Sequence, residues 1–383
     1  MSHLINATKA ALVFLSAAGF YATWYILLNN GTTDYMAHLR DVGPRLLPGT
    51  KEPIKTVYTG VPAIDHQLTV LALFFWENVD GSNPAGSLFC FHFATQVACG
   101  WGLLMIEGLR HGNRWTIISF IGTWGVFVQN AAYAVIIPYW CIAYLSTSRI
   151  VSSRRVSEYL VDVPNLAGIA ISMVLGYVLP TILMSLPAPS IIDYDLKQWL
   201  MTFWQFFPVW VSVVQGVVPY LLPKPGEASR VSDIHMLMSM RILYAGLITT
   251  AGIGQASTMT FLATSKFFPE LFTPEFVGVF NPSNVFLPAT ISPSTKVPSI
   301  GAGAFLLLQY DHLIGSTSMA LWSTVLFVNT YRNGATYQSV GLMIVGGIIM
   351  MALTGPLGYA TACIWARDEL IIAEAEADGK KMQ

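Results

Sequence analysis

Charged side chains are scarce in this chain: Asp, Glu, Lys and Arg make up 11% of its 383 residues, against roughly 25% in ordinary soluble domains. That scarcity excludes a soluble fold with a solvated charged surface. With a net charge of −1 and no basic tract, a nucleic-acid-binding face is excluded as well. Cysteine is also rare. The four thiols, Cys90, Cys99, Cys141 and Cys363, fall within apolar runs, and their spacing gives neither a disulfide framework nor a zinc site. They read as packing residues. Equally absent are DDxxD, DxDD and NDxxDxxxD patterns, so ionisation of a diphosphate by clustered carboxylates and magnesium has no support. No GxSxG, HExxH or paired haem histidines occur either. His66, His92, His111 and His312 are too scattered for a metal site, and no cofactor is expected.

What the chain does have is apolar length. It is 54% hydrophobic, and several runs reach the roughly 20 residues that a bilayer crossing needs. The prediction is an all-α, polytopic transmembrane helical bundle of eight or nine spans, one integral membrane domain over residues 1–383. The expected spans are 10–28, 64–78, 87–109, 115–145, 163–186, 196–222, 233–264, 300–331 and 338–365, followed by a charged cytosolic tail at 366–383. The second is short for a crossing and reads as a possible re-entrant helix. Pro138 is expected to kink the fourth, and a polar loop with Lys224 and Arg230 follows the sixth. The first run is too long for a cleavable signal and reads as an anchor. Nine spans place about 12 and 7 basic residues on alternate sides, which puts the C-terminus in the cytosol and the N-terminus in the lumen.

Ionisable groups at membrane depth are costly and mark functional sites by default. The block Ile64–Asn113 concentrates them: Asp65, His66, Glu77, Asp80, His92 and Glu107 sit among Phe74, Phe75, Trp76, Phe89, Phe91, Phe93 and Trp101. Glu77 and Asp80 are three apart and share a helix face, where two close carboxylates can divide the roles of acid and base. Capping of a helix end is their structural alternative. Glu107 has Arg110 three residues on, so it is either an interfacial ion pair or a supporting acid. Asp311 lies about eleven residues into an apolar helix and needs a partner, a proton or a water cavity. His312 points to another face of that helix. Arg241 either snorkels to the surface or serves as a counter-charge. His92, Gln129 and Asn130 either orient a substrate oxygen or bond helix to helix. Aromatic residues are 13% of the chain. Belts of Trp and Tyr at the interface explain part of that. Runs such as Phe89, Phe91 and Phe93 belong deeper, where aromatic faces can stabilise a cation.

The stretches DHQLTVLALFFWENVDGS, FHFATQVACGWGLLMIEGLRHGN, WGVFVQNAAYAVIIPYW and LLQYDHLIGS resemble the fungal membrane-bound terpene cyclases of the ascofuranone (AscI) type. These belong to meroterpenoid and indole-diterpene gene clusters. The resemblance implies a metal-independent cyclisation of a prenylated, commonly epoxidised substrate in the endoplasmic reticulum membrane, beside other enzymes of the same pathway. It implies Glu77, Asp80 and Asp311 as the acid and its supporting carboxylates, with Glu107 behind them. Trp76, His92, Gln129, Asn130, His312 and Arg241 are then the expected substrate-binding positions. A secondary transporter of a lipophilic metabolite, with Asp311 and Arg241 as its coupling pair, is the competing reading. No internal repeat supports it.

Overall fold

Proline and short polar side chains decide where the central helices start. In the computed structural model, which describes residues 2–222, 229–290, 292–331 and 337–381, Pro62 opens one helix and Pro84 the next. Proline suits a first turn because its missing N–H would have no partner there. The Asp65 carboxylate accepts from Thr59 N (2.6 Å), Thr59 Oγ1 (2.8 Å) and Gly60 N (3.0 Å), which closes the loop before the first of these helices. Asn83 caps the second by accepting from Gly86 N at 3.2 Å.

The principal helices are α1 (Ser2–Phe20, continuing through a π-turn to Asn29), α2 (Pro62–Val79), α3 (Pro84–Leu109), α4 (Ile121–Ala131) and α5 (Tyr133–Thr147). They are followed by α6 (Val163–Met173, continuing through a π-turn to Ser185), α7 (Tyr194–Trp204), α8 (Phe207–Leu221), α9 (Ser229–Phe267), α10 (Ile300–Tyr331) and α11 (Tyr337–Lys381). No strand occurs among the described residues, apart from an isolated bridge between Leu46 and Pro53. Helix α10 packs against α1, α5 and α11, while α3 packs against α9, α11 and α10.

Among the described residues, five helical stretches are long and apolar enough to cross a membrane: His3–Asn29, Pro84–Leu109, Val156–Ser185, Asp233–Phe267 and Gly341–Ala377. A sixth is reached if α7 and α8, bent by 64° at their junction, are one broken span. Besides 64–78, which forms the 18-residue α2 and is not among these stretches, three expected spans depart from the sequence reading. The stretch 115–145 is not one kinked helix. It breaks at Ala132, which adopts φ 79°, while Pro138 sits inside the continuous α5. The stretch 196–222 is the bent pair. Helix α10 is 32 residues long but does not pass as an apolar span, because its surface faces protein: Gln309, Asp311, His312, Ser316, Ser318 and Ser323 are all buried. A helix sheltered on its sides by other helices need not be apolar. The expected charged tail also differs, since α11 runs on to Lys381 with Arg367 and Asp368 buried. Lys224, in the predicted polar loop, lies outside the described residues, as does the side chain of Arg230.

Helix α11 is broken at Gly355, where φ is 71° ahead of Pro356. Gln96 of α3 repairs the break: its Nε2 donates to Thr354 O (3.0 Å) and Ala251 O (3.3 Å), and its Oε1 accepts from Leu357 N (3.1 Å). Backbone groups at a buried break have no water to turn to, and each one left unpaired costs about 1–3 kcal/mol. Gln96→Ala is therefore expected to lower thermal stability by an amount on that order, read as the unfolding midpoint of the detergent-solubilised protein. An unchanged midpoint would show that the break is held by packing alone.

Candidate active site

Helices α3 and α10 both start at the same end of the bundle, so their residues divide into three levels by helical rise. At the first level, the Glu77 carboxylate accepts from Gly301 N and so caps the start of α10. Asn78 donates to Gly301 O at 3.1 Å. A side chain at Gly301 would collide with Glu77, so glycine permits this close approach. Asp80 folds back on its own turn, accepting from Ser82 N (2.8 Å) and Ser82 Oγ (2.6 Å). The neighbouring cation is Lys197, fully buried, whose Nζ donates to Leu186 O (2.8 Å) and Val79 O (3.3 Å). Trp76 is also fully buried at this level. Its indole N–H donates to Pro48 O, and its ring lies against Tyr194.

The second level lies about 15 Å further along α10. Asp311 is buried there and accepts from Ala134 N at 2.7 Å, across the break at Ala132. It thereby supplies the first turn of α5 with a cap from another helix. Among the described residues no cation is paired with it. The next residue, His312, turns toward α3, where its ring meets Phe93 (4.8 Å between centroids), His92 (5.4 Å) and Phe89 (5.8 Å). Phe286 closes over His92 at 5.0 Å. His312 Nδ1 and Ser316 Oγ are 2.9 Å apart, and the Tyr133 hydroxyl lies beside Ser316. Tyr133 also approaches Phe93 and packs over Gly315, where a β-carbon would enter its ring. His92 Nδ1 is buried without a hydrogen-bond partner. This level thus joins two imidazoles, a phenol and a hydroxyl within aromatic walls, with the Asp311 carboxylate held beside them at the start of α5.

The third level is ionic. Glu107, about 22 Å along α3 from His92, accepts from Arg110 (2.8 Å), Arg367 (3.0 Å) and the Tyr144 hydroxyl (2.6 Å). Asp368 accepts from Arg110 (2.7 Å), Arg367 (2.8 Å) and the Tyr244 hydroxyl (2.9 Å). All four charged residues are buried, and they balance two against two. Tyr159 lies under both guanidinium groups.

The four acids expected together therefore do not converge. Glu77 and Asp80 stay at one end, Asp311 in the middle, and Glu107 in an ion cluster at the other end. Arg241 forms a two-pronged pair with Glu369 at 2.7 and 2.6 Å, so Asp311 and Arg241 make no coupling pair. Gln129 donates to Gln205 O at the bend between α7 and α8. Asn130 is exposed and bonds Val126 O in its own helix. His92 and His312, by contrast, meet face to edge as the sequence could not show. Sequence reading missed Tyr133, Ser316, Lys197, Arg367 and Asp368. Ser316 carries a local signal, four residues beyond His312 and thus on its face, and a lysine inside a predicted span was a signal for Lys197. Arg367 and Asp368 were obscured by their position among tail charges. Among the described residues, no group of three or more His, Cys, Asp or Glu side chains is placed to hold a metal ion.

The middle level brings the Asp311 carboxylate next in sequence to one of two imidazoles packed among aromatic rings. The CtvD domain family matches residues 8–372, and the chain belongs to that family. It is similar to terpene cyclase ascI of Acremonium egyptiacum, 28% identical over 85% of this chain and 82% of that protein. Terpene cyclase ctvD of Aspergillus terreus is 27% identical over 94% of this chain and 98% of its own length. Terpene cyclase janA of Penicillium janthinellum is 26% identical over 93% of each. No solved structure matches. The family resemblance read from the sequence is borne out, and the chain is a cyclase enzyme.

Proposed function

We propose that this cyclase is a multi-pass protein of the endoplasmic reticulum membrane that closes rings on a lipophilic prenylated substrate by protonation, without metal. The supporting observation is Asp311: a buried carboxyl with no cation paired to it among the described residues, next in sequence to a histidine packed among Phe89, Phe93 and His92. In this reading the chain crosses the membrane eight or nine times as a single domain, with α10 as a crossing sheltered by its neighbours.

Asp311 donates a proton to the oxygen of a terminal epoxide. The carbon–oxygen bond breaks, the electron pair goes to oxygen, and the alkenes close in turn onto the electron-deficient carbon. Phe89, Phe93 and Phe286 offer ring faces to the travelling cation. The last cation loses a proton, or is trapped by an internal oxygen that then gives up its proton. His92 Nδ1, buried and without a hydrogen-bond partner among the described residues, accepts it in this scheme. The sum is an isomerisation, so product and substrate have equal mass. His312, held by Ser316, and Tyr133 set the shape of the chamber. The rings touch one another as they stand, so a prenyl chain enters by parting them. Glu77 and Asp80 act in this scheme by fixing the start of α10 and the adjoining turn, and Glu107 by anchoring the far end of α3. Trp76 holds the loop beneath α2, Gln129 ties α4 to the bend at Gln205, and Arg241 ties α9 to α11.

Chelation separates this scheme from diphosphate chemistry. Excess EDTA is expected to leave turnover in microsomes unchanged. Loss of activity that returns on adding magnesium would overturn the protonation scheme.

A further inference from the structure

A cavity of about 840 Å³ lies at the third level, between the end of α3 and the helices α4, α6, α8 and α9. Small-molecule sites typically enclose about 300–1,000 Å³, so this space suits an organic ligand of some tens of atoms. It lies about 20 Å along α3 from His92, judged from Met105 in its wall, and so is separate from the Asp311 chamber. Its walls are apolar, with Met105, Ile121, Val163, Val211 and Met236 among them. One edge is polar. There Asp162 is held by Arg114 and by His111 (3.0 Å), with Asn165 alongside and Gln215 donating to Asn165 O at 3.1 Å.

The wall formed by α8 carries Gly216, which is exposed. Gly216 sits inside α8, a position where glycine is disfavoured, and a β-carbon there would meet nothing within 4 Å. On the facing helix, Gly122 has no such freedom, since a β-carbon would press on Ser212. Helix α8 is thus approached closely by α4 at Gly122 and by α6 at Gly168, where a β-carbon would meet Gln215 and Pro219, while Gly216 stays open.

We infer that this cavity is a loading site for an amphipathic isoprenoid, its prenyl chain along the apolar walls and its phenolic or carboxylate head against Arg114 and Asn165. The identity of the ligand rests on the cyclase reading above; the site itself does not. The Arg114 guanidinium is half exposed, so an acidic head group can reach it by displacing part of its bond to Asp162.

The test uses the full-length protein in microsomes and a farnesyl phenol carrying a diazirine on its prenyl chain. After irradiation, the label is expected on peptides from α6 and α8. Gly216→Phe, which fills the open space without meeting a neighbour at its first carbon, is expected to cut that labelling at least tenfold. Gly216→Ala, which leaves the space open, is expected to retain it. Labelling confined to the Phe89–His312 region, or labelling of α6 and α8 that Gly216→Phe leaves intact, would overturn the site. Labelling is read without turnover. A chain labelled here that forms no cyclised product would count against the cyclase scheme and leave the site standing. A chain that cyclises substrate but is never labelled here would do the reverse.

Discussion

Asp311→Asn is expected to lower cyclisation by at least about 100-fold, the scale on which a positioned general acid contributes, while folded protein accumulates to the wild-type amount. The two expectations separate because asparagine keeps the oxygen that accepts from Ala134 N and loses only the acid. Asp311→Leu removes both. It leaves the Ala134 N–H unpaired at a buried helix start, and a loss of about 1–3 kcal/mol is expected in addition to the loss of activity. Product formation per unit of folded protein, with the unfolding midpoint in detergent, distinguishes the two variants. Wild-type turnover in Asp311→Asn would reduce Asp311 to a capping residue.

The second large effect is expected at Glu107. Its substitution by leucine leaves Arg110 and Arg367 buried with Asp368 as their single carboxylate. Breaking a buried ion pair from one side typically costs about 3–5 kcal/mol, because the desolvated partner remains. Glu107→Leu is thus expected to be poorly folded, and its defect should appear in stability and yield rather than in the rate of the molecules that do fold. Removing Arg110 together with Glu107 should recover part of the loss, since the remaining Arg367–Asp368 pair is balanced. A stable, inactive Glu107→Leu would show instead that Glu107 takes part in the chemistry.

These two acids show what a sequence conveys and where it stops. Both were legible as costly groups in an apolar chain, and so was the all-helical class. The partners were not legible, because they arrive from far along the chain. Asp311 meets Ala134 across 177 residues, and Glu107 meets Arg367 across 260. Arg367 was assigned to a soluble tail because hydropathy ends the last span before it, yet α11 carries it into the bundle, where Glu107 and Asp368 compensate it. The break at Ala132 was hidden for a similar reason. Nothing in VQNAAYAV marks a helix end, and it is the Asp311 carboxylate that makes the new start at Tyr133 tolerable. Hydropathy by itself passes over α10, where burial among helices substitutes for an apolar surface.

The most direct measurement is conversion by the intact chain. Microsomes containing it would be given epoxyfarnesyl and epoxygeranylgeranyl aromatics in the presence of EDTA, and the extracts compared with those from Asp311→Asn. A cyclised isomer of unchanged mass from the wild type, absent from the variant, is the expected result. If properly folded protein converts none of these substrates, or converts them only when magnesium is supplied, protonation-initiated cyclisation is contradicted.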